Sequence, residues 1–177
     1  DLNGSFFATT ADEVKFGQQG SFFATPQQQE DLALLTVNPS ALWFDQVEPN
    51  GSIILDQASL KVAGKENISL IGQESDRPGI ELNNSAVNVQ AGNISLGAVR
   101  NQAEITINNN SELEFGDSPR GDISIADNSQ VRADTINQPE DDSIINKISL
   151  ESNNLEITGN SKISTVTDAN RGTDINI

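Results

Sequence analysis

Arg120-Gly121-Asp122 spells the tripeptide that integrins read, and it is the stretch whose residue types and spacing come nearest to a binding motif. A guanidinium and a carboxylate separated by one glycine present a forked donor and an acceptor on a freely turning backbone. A three-residue match has little specificity, and the chain offers a structural reading beside it. RGDISI (120–125) aligns with RGTDINI (171–177), so Arg-Gly is expected at the same corner of two repeats. Glycine there would supply backbone freedom, and Arg120 would pair with an acid such as Asp117 or Asp168.

Carboxylates are the other chemically active groups, at 26 Asp and Glu against 10 Lys and Arg, for a net charge of −16. Polysaccharide hydrolysis needs at least two of them gathered at one cleft, and a lyase adds a cation or a basic side chain. The densest run, Glu140-Asp141-Asp142 behind Pro139, reads as a solvated loop. Glu81, Glu112, Glu114, Glu151 and Glu156 read as outward strand residues, and of these Glu112 and Glu114 share a face by alternation. No second pair stands one repeat away. His, Cys and Tyr are absent, which removes imidazole acid–base chemistry, Cys and Ser–His nucleophiles and thiolate metal ligands. The Gly-Gly-x-Gly-x-Asp calcium repeat is missing too. No catalytic, cofactor-binding or metal residue is therefore assigned. The acidic balance argues against nucleic acid and anionic lipid as partners, and no apolar run approaches the roughly 18 residues that insertion across a bilayer requires.

The elements that must carry these residues announce themselves by repetition. In GIELNNSAVNVQAGNISLG (79–97), apolar residues stand two apart in three short runs: Ile80 and Leu82, Val87 and Val89, Ile94 and Leu96. Period-2 alternation broken by Asn, Ser and Gly predicts three brief strands with tight corners. Ile68, Ile94, Ile123, Ile148 and Ile175 each head an Ile-x-Leu or Ile-x-Ile step, at intervals of 26, 29, 25 and 27 residues. Three extra residues within 116–122 account for the long interval. The pattern predicts a solenoid of stacked turns, with a first turn on Ile53, Leu60 and Ile68 and a second on Ile80, Val87 and Ile94. The third is placed on Ile105, Leu113 and Ile123, the fourth on Val131, Ile144 or Ile145 and Ile148, and the fifth on Leu155, Ile163 and Ile175. Seven or so turns in all would make a rod on the order of 30 Å long. Corners are written in Asn and Ser (83–85, 108–111, 127–129, 152–154), because Asn tolerates the left-handed conformation of a sharp corner. A hydrophobic content of 35% suits a fold that needs only a thin inner stripe in each turn.

The first fifty residues have a different texture. Gly4-Ser-Phe-Phe-Ala-Thr9 returns as Gly20-Ser-Phe-Phe-Ala-Thr25, each copy opening a strand, with Val14 and Phe16 alternating between them. Two further strands, over 34–37 and 41–44, flank Asn38-Pro39-Ser40. GSFFATTADEVKFGQQGSFFAT (4–25) followed by LALLTVNPSALWF (32–44) resembles the filamentous haemagglutinin-like exoproteins of two-partner secretion systems, especially the large cyanobacterial members. That resemblance implies an all-β fold, a right-handed single-stranded parallel β-helix, with 1–50 as the C-terminal part of a secretion-like domain and 51–177 as β-helical repeats continuous with it. It further implies export through an outer-membrane barrel transporter and non-enzymatic work at the cell surface, adhesion or aggregation through a glycan or protein ligand. The alternative from another class is a polysaccharide lyase or hydrolase on the same scaffold.

Overall fold

The computed structural model of the chain describes residues 4–24, 38–45, 51–108, 111–135, 146–167 and 173–177. Among them every regular element is a strand. The first four are β1 (Phe6–Thr9), β2 (Glu13–Lys15), β3 (Ser21–Phe23) and β4 (Ala41–Phe44). Three-strand sets follow: β5 (Ile53–Asp56), β6 (Ser59–Val62) and β7 (Ile68–Glu74), then β8 (Ile80–Asn83), β9 (Ala86–Gln90) and β10 (Ile94–Arg100). After β11 (Ala103–Ile107) and β12 (Leu113–Glu114) come β13 (Ile123–Ala126), β14 (Gln130–Thr135) and β15 (Asn146–Glu151). The last set is β16 (Leu155–Ile157), β17 (Lys162–Thr167) and β18 (Thr173–Asn176).

Three parallel sheets stack these sets in chain order: β5-β8-β13-β16, β6-β9-β14-β17 and β1-β7-β10-β15-β18. The chain visits them in the same cyclic order four times, an arrangement compatible with a solenoid. Because side chains alternate, each sheet sends every second residue inward, and like residues fall into columns. Ile53, Ile80, Ile123 and Leu155 form one column, Leu60, Val87, Val131 and Ile163 another, and Phe6, Ile68, Ile94, Ile148 and Ile175 a third. The two middle sets are sealed, with Ile80, Val87, Ile94, Ile123, Val131 and Ile148 all buried in one core. Each such side chain contributes about 1.5 to 3 kcal/mol.

The corner between the first and second of these sheets shows why Asn and Ser were needed. The backbone turns left-handed there in every turn, at Gln57, Asn84, Asn128 and Asn160 with φ of 50, 46, 65 and 62°, and in the last two turns the preceding Asp127 and Gly159 are left-handed as well, at 56 and 60°. The next residue is Ala58, Ser85, Ser129 or Ser161, and the Ser hydroxyls bond along the stack. Ala58 N–H donates to Ser85 Oγ (3.0 Å), Ser85 N–H to Ser129 Oγ (3.0 Å) and Ser129 N–H to Ser161 Oγ (3.1 Å). The ladder thus satisfies backbone donors that the corner takes out of the sheets. Gln57 is the misfit, since it lacks the short amide that makes left-handed backbone tolerable for Asn. Gln57→Asn is expected to raise stability by about 0.5 kcal/mol, read as a higher urea midpoint at unchanged slope.

A second layer departs from the expected solenoid. Strands β3, β2, β4, β11 and β12 form a mixed-origin antiparallel sheet in the order β12-β11-β4-β2-β3. It builds a separate core from Leu42, Phe44, Ala103, Ile105 and Phe115 against Ile71 and Val99 of β7 and β10. Gln73, fully buried, pins the two layers: its Nε2 donates to the carbonyls of Asp45 (2.8 Å) and Asn101 (3.0 Å), and its backbone N–H donates to Thr10 Oγ1 (2.9 Å). Strands from both sides of residue 50 therefore share sheets.

Three expectations are corrected. Residues 103–108 and 111–114 are no turn of the stack; Ile105 and Leu113 belong to the antiparallel layer, and among the described residues the stack holds four three-strand turns with β1 beneath the first, where seven or so turns were expected. Ile123 lies in the column of Ile80, so Ile94 stacks directly between Ile68 and Ile148. The strands that follow the Arg-Gly repeat do not align in space, because β13 and β18 belong to different sheets. Its second copy (171–172), the strand expected at 34–37, the acidic run 140–142 and Ile144 and Ile145 lie outside the described residues.

Candidate functional site

Arg120, Gly121 and Asp122 stand where the chain returns from the antiparallel layer into β13, between the turn of β7 below and that of β15 above. Each of the three is engaged within the protein. Arg120 Nε meets Glu151 Oε2 at 3.1 Å, its Nη1 donates to the Ser118 carbonyl, and its Nη2 donates to the Gly116 carbonyl at 3.3 Å. The guanidinium also lies over the Phe115 ring, 4.9 Å from the centroid. Gly121 N–H donates to the Ala98 carbonyl (2.9 Å), and the Gly121 carbonyl accepts from Asn153 N–H (2.6 Å). A Cβ at Gly121 would lie 2.8 Å from the Val99 carbonyl oxygen, which is why glycine is required.

Asp122 is the junction. Its N–H donates to Glu74 Oε2 (2.8 Å). Its Oδ1 accepts from Asn153 Nδ2 (3.1 Å), Asn154 N–H (3.2 Å), Asn154 Nδ2 (2.9 Å) and Arg100 Nη2 (3.4 Å), and Arg100 reaches Glu74 at 3.3 Å. The tripeptide thus ties the returning chain to the turns on either side. Glu151 takes the place expected for Asp117 as partner of Arg120. Sequence reasoning placed Asn153 and Asn154 in a corner but did not link them to Asp122; the link depends on which turn lies above.

Asp122→Ala should remove four acceptor contacts of a carboxylate whose side chain is one-third exposed. Bonds to a charged group contribute about 1.5 to 3 kcal/mol, and partial solvation reduces that, so a loss of roughly 1 to 2 kcal/mol is expected in guanidinium unfolding.

Beside this junction a cleft of about 110 Å³ runs between the outer face of β7-β10-β15 and the β11–β12 hairpin. Its floor is a row of hydroxyls, Ser69, Ser95 and Ser149, on three adjacent strands. At the neighbouring position Asn67 Oδ1 accepts from Asn93 N–H (2.9 Å) and Asn93 Oδ1 from Lys147 N–H (3.0 Å), a second side-chain ladder along the stack. Glu112 and Glu151 are the carboxylates of the cleft, with Lys147 the cation. Glu112 and Glu114 do share a side, as alternation predicted: Asn108 Nδ2 donates to both, at 3.0 and 3.1 Å.

Compared with known proteins, the chain matches no family model, no curated protein and no solved structure.

Proposed function

We propose that this chain is a structural and adhesive segment of a large secreted exoprotein of the filamentous haemagglutinin type, working at the cell surface without catalysis. The observation that carries the reading is the cyclic passage through three parallel sheets, with apolar columns inside and polar rows outside. Such a stack is a stiff shaft with a solvent-compatible flank, and stiffness with a long polar face suits presentation away from a surface. We assign it the right-handed single-stranded parallel β-helix, since parallel crossovers are right-handed in nearly all cases. Export through an outer-membrane barrel partner, and a glycan or protein ligand on the recipient surface, belong to the same proposal, resting on the GSFFAT and LALLTVNPSALWF segments.

In this reading Arg120-Gly121-Asp122 is a fastening and the adhesive surface lies elsewhere on the flank. Beads coated with the purified chain should bind cells or a glycan array, and Arg120→Lys should bind equally, because Lys keeps the charge and a part-exposed ion pair contributes about 0 to 1 kcal/mol. Recognition by a carboxylate-reading receptor requires the planar fork, so loss of binding on Arg120→Lys with unchanged folding would make the tripeptide the adhesive site. The carbohydrate-cleaving alternative has two carboxylates in the cleft, one of them, Glu151, already held by Arg120. Release of reducing ends or unsaturated sugars from a polysaccharide panel, abolished by Glu112→Gln, would favour it over adhesion.

A further inference from the structure

We propose that the cleft between β7-β10-β15 and the β11–β12 hairpin binds a neutral, extended glycan, a chain of equatorially linked hexoses of the cellulose type lying along the stack. The inference rests on the adhesive reading, in which a glycan is one of two ligand classes, and it names both the class and the place.

The floor of the cleft carries the argument. Ser69, Ser95 and Ser149 hold the same register position on three adjacent parallel strands, so their hydroxyls repeat at the strand spacing of about 4.8 Å. All three side chains are half-buried, and among the described residues none of the three hydroxyls has a hydrogen-bond partner. The corner serines are the contrast: Ser85 Oγ reaches the Leu55 carbonyl at 3.0 Å and Ser129 Oγ the Leu82 carbonyl at 3.0 Å. Serines that fasten the fold use their hydroxyls inside it. Those of the cleft floor are left for a ligand.

The neighbouring row adds donors. Asn67 and Asn93 each engage Oδ1 with a backbone N–H of the next strand, which leaves both Nδ2 groups without a described partner. Lys147 continues this row, and its ammonium is likewise unpaired among the described residues. Acceptors come from the two carboxylates. Asn108 Nδ2 holds Oε2 of Glu112 at 3.0 Å and Arg120 Nε holds Oε2 of Glu151 at 3.1 Å, so Oε1 of each stays available. Leu113 on the hairpin supplies an apolar wall for the C–H face of a sugar ring. Donors and acceptors in close alternation beside an apolar wall suit hydroxyls, which donate and accept at once.

Charge and length narrow the class further. Glu112 and Glu151 are balanced by Lys147 and Arg120, and the chain as a whole carries −16, so the field does not favour an acidic sugar. In an extended, equatorially linked chain each pyranose ring advances by nearly the spacing of one strand, so successive rings stand over successive serines. A curled, amylose-like chain loses that register. The cleft, at about 110 Å³, has room for part of such a chain, so the ligand passes through it.

Isothermal titration calorimetry of the 177-residue chain with cellohexaose tests this. Binding should saturate at one site per chain and stay the same from low to high salt, since the ligand makes no ion pair. Ser95→Val and Lys147→Met should each weaken it about tenfold, the effect of losing one hydrogen bond, with unchanged far-UV spectra. Lys61→Met, the same substitution on the outer face of β6, should bind as the wild type does. Maltohexaose, which curls, and a mannuronate oligomer of equal length, which is extended but charged, should both bind more weakly than cellohexaose. Adhesion is read separately on coated beads: beads that hold cells while cellohexaose is ignored would leave the adhesive reading standing and sink this one. Equal affinity of the wild type, Ser95→Val and Lys147→Met would overturn the placement in the cleft, and tighter binding of the mannuronate oligomer would overturn the neutral class.

Discussion

Ile94→Asp should leave little folded protein in water at room temperature. Ile94 is fully buried between Ile68 and Ile148, in a column flanked by the equally buried Leu70, Leu96 and Leu150. The substitution forfeits about 1.5 to 3 kcal/mol of apolar burial. It also places a carboxylate, charged or protonated, where no hydrogen-bond partner stands, at a cost of several kcal/mol more. Domains of this kind hold only about 5 to 15 kcal/mol in total. Ser95, one residue on, faces the outer row between Ser69 and Ser149, so Ser95→Asn should stay within about 0.5 kcal/mol of the wild type. Guanidinium midpoints for the pair decide the register; two equally mild results would place Ile94 outside the core.

Gly97→Ala carries the second large effect, and it tests how the antiparallel layer sits on the stack. A Cβ on Gly97 would lie 2.2 Å from Phe115 Cζ and 3.1 Å from Ile71 Cδ1, so the ring occupies the space that every other residue type would fill. Forcing the ring away should cost roughly 1 to 3 kcal/mol. It should also disturb Arg120, whose guanidinium rests on the same ring. Phe115→Leu loses part of a buried side chain and destabilises by itself, yet the double variant should be more stable than the sum of the two singles by about 1 kcal/mol or more. Gly92→Ala gives the contrast, since its Cβ would strike the Glu66 carbonyl oxygen at 1.9 Å, a backbone obstacle that no side-chain truncation removes. Additive behaviour of Gly97→Ala and Phe115→Leu would mean that the ring does not rest on β10.

How much of this was legible beforehand can be seen residue by residue. The alternation in 80–83, 86–90 and 94–100 is a local property, and it yielded three strands at those places. The Asn-Ser corners at 83–85 and 127–129 were equally local, because left-handed backbone restricts residue type wherever it occurs. For the candidate site, sequence reasoning found the tripeptide and its corner role, with glycine for backbone room and Arg120 for a carboxylate. It did not find Glu74, Arg100 or Glu151 as the partners, since these lie 48, 22 and 31 positions away from the residues they hold.

Sequence alone therefore determined the strand-and-corner character of the chain, its thin apolar stripe, and the absence of His, Cys and Tyr chemistry. Each follows from composition or from a period of two, which needs no knowledge of neighbours. Only the tertiary structure decided which alternating run belongs to which sheet. Ala103, Ile105 and Ile107 alternate as a stack strand would, yet the first two pair antiparallel with β4 and Ile107 with Leu113 of β12. Alternation reports that one face of a strand is buried and is silent on what buries it, whether the inside of a turn or a second layer. The 22 residues between β10 and β13 thus passed for a turn, and Ile123 was counted into the wrong column. Pairing partner and direction are fixed by closure of the whole stack, where columns of like residues must meet.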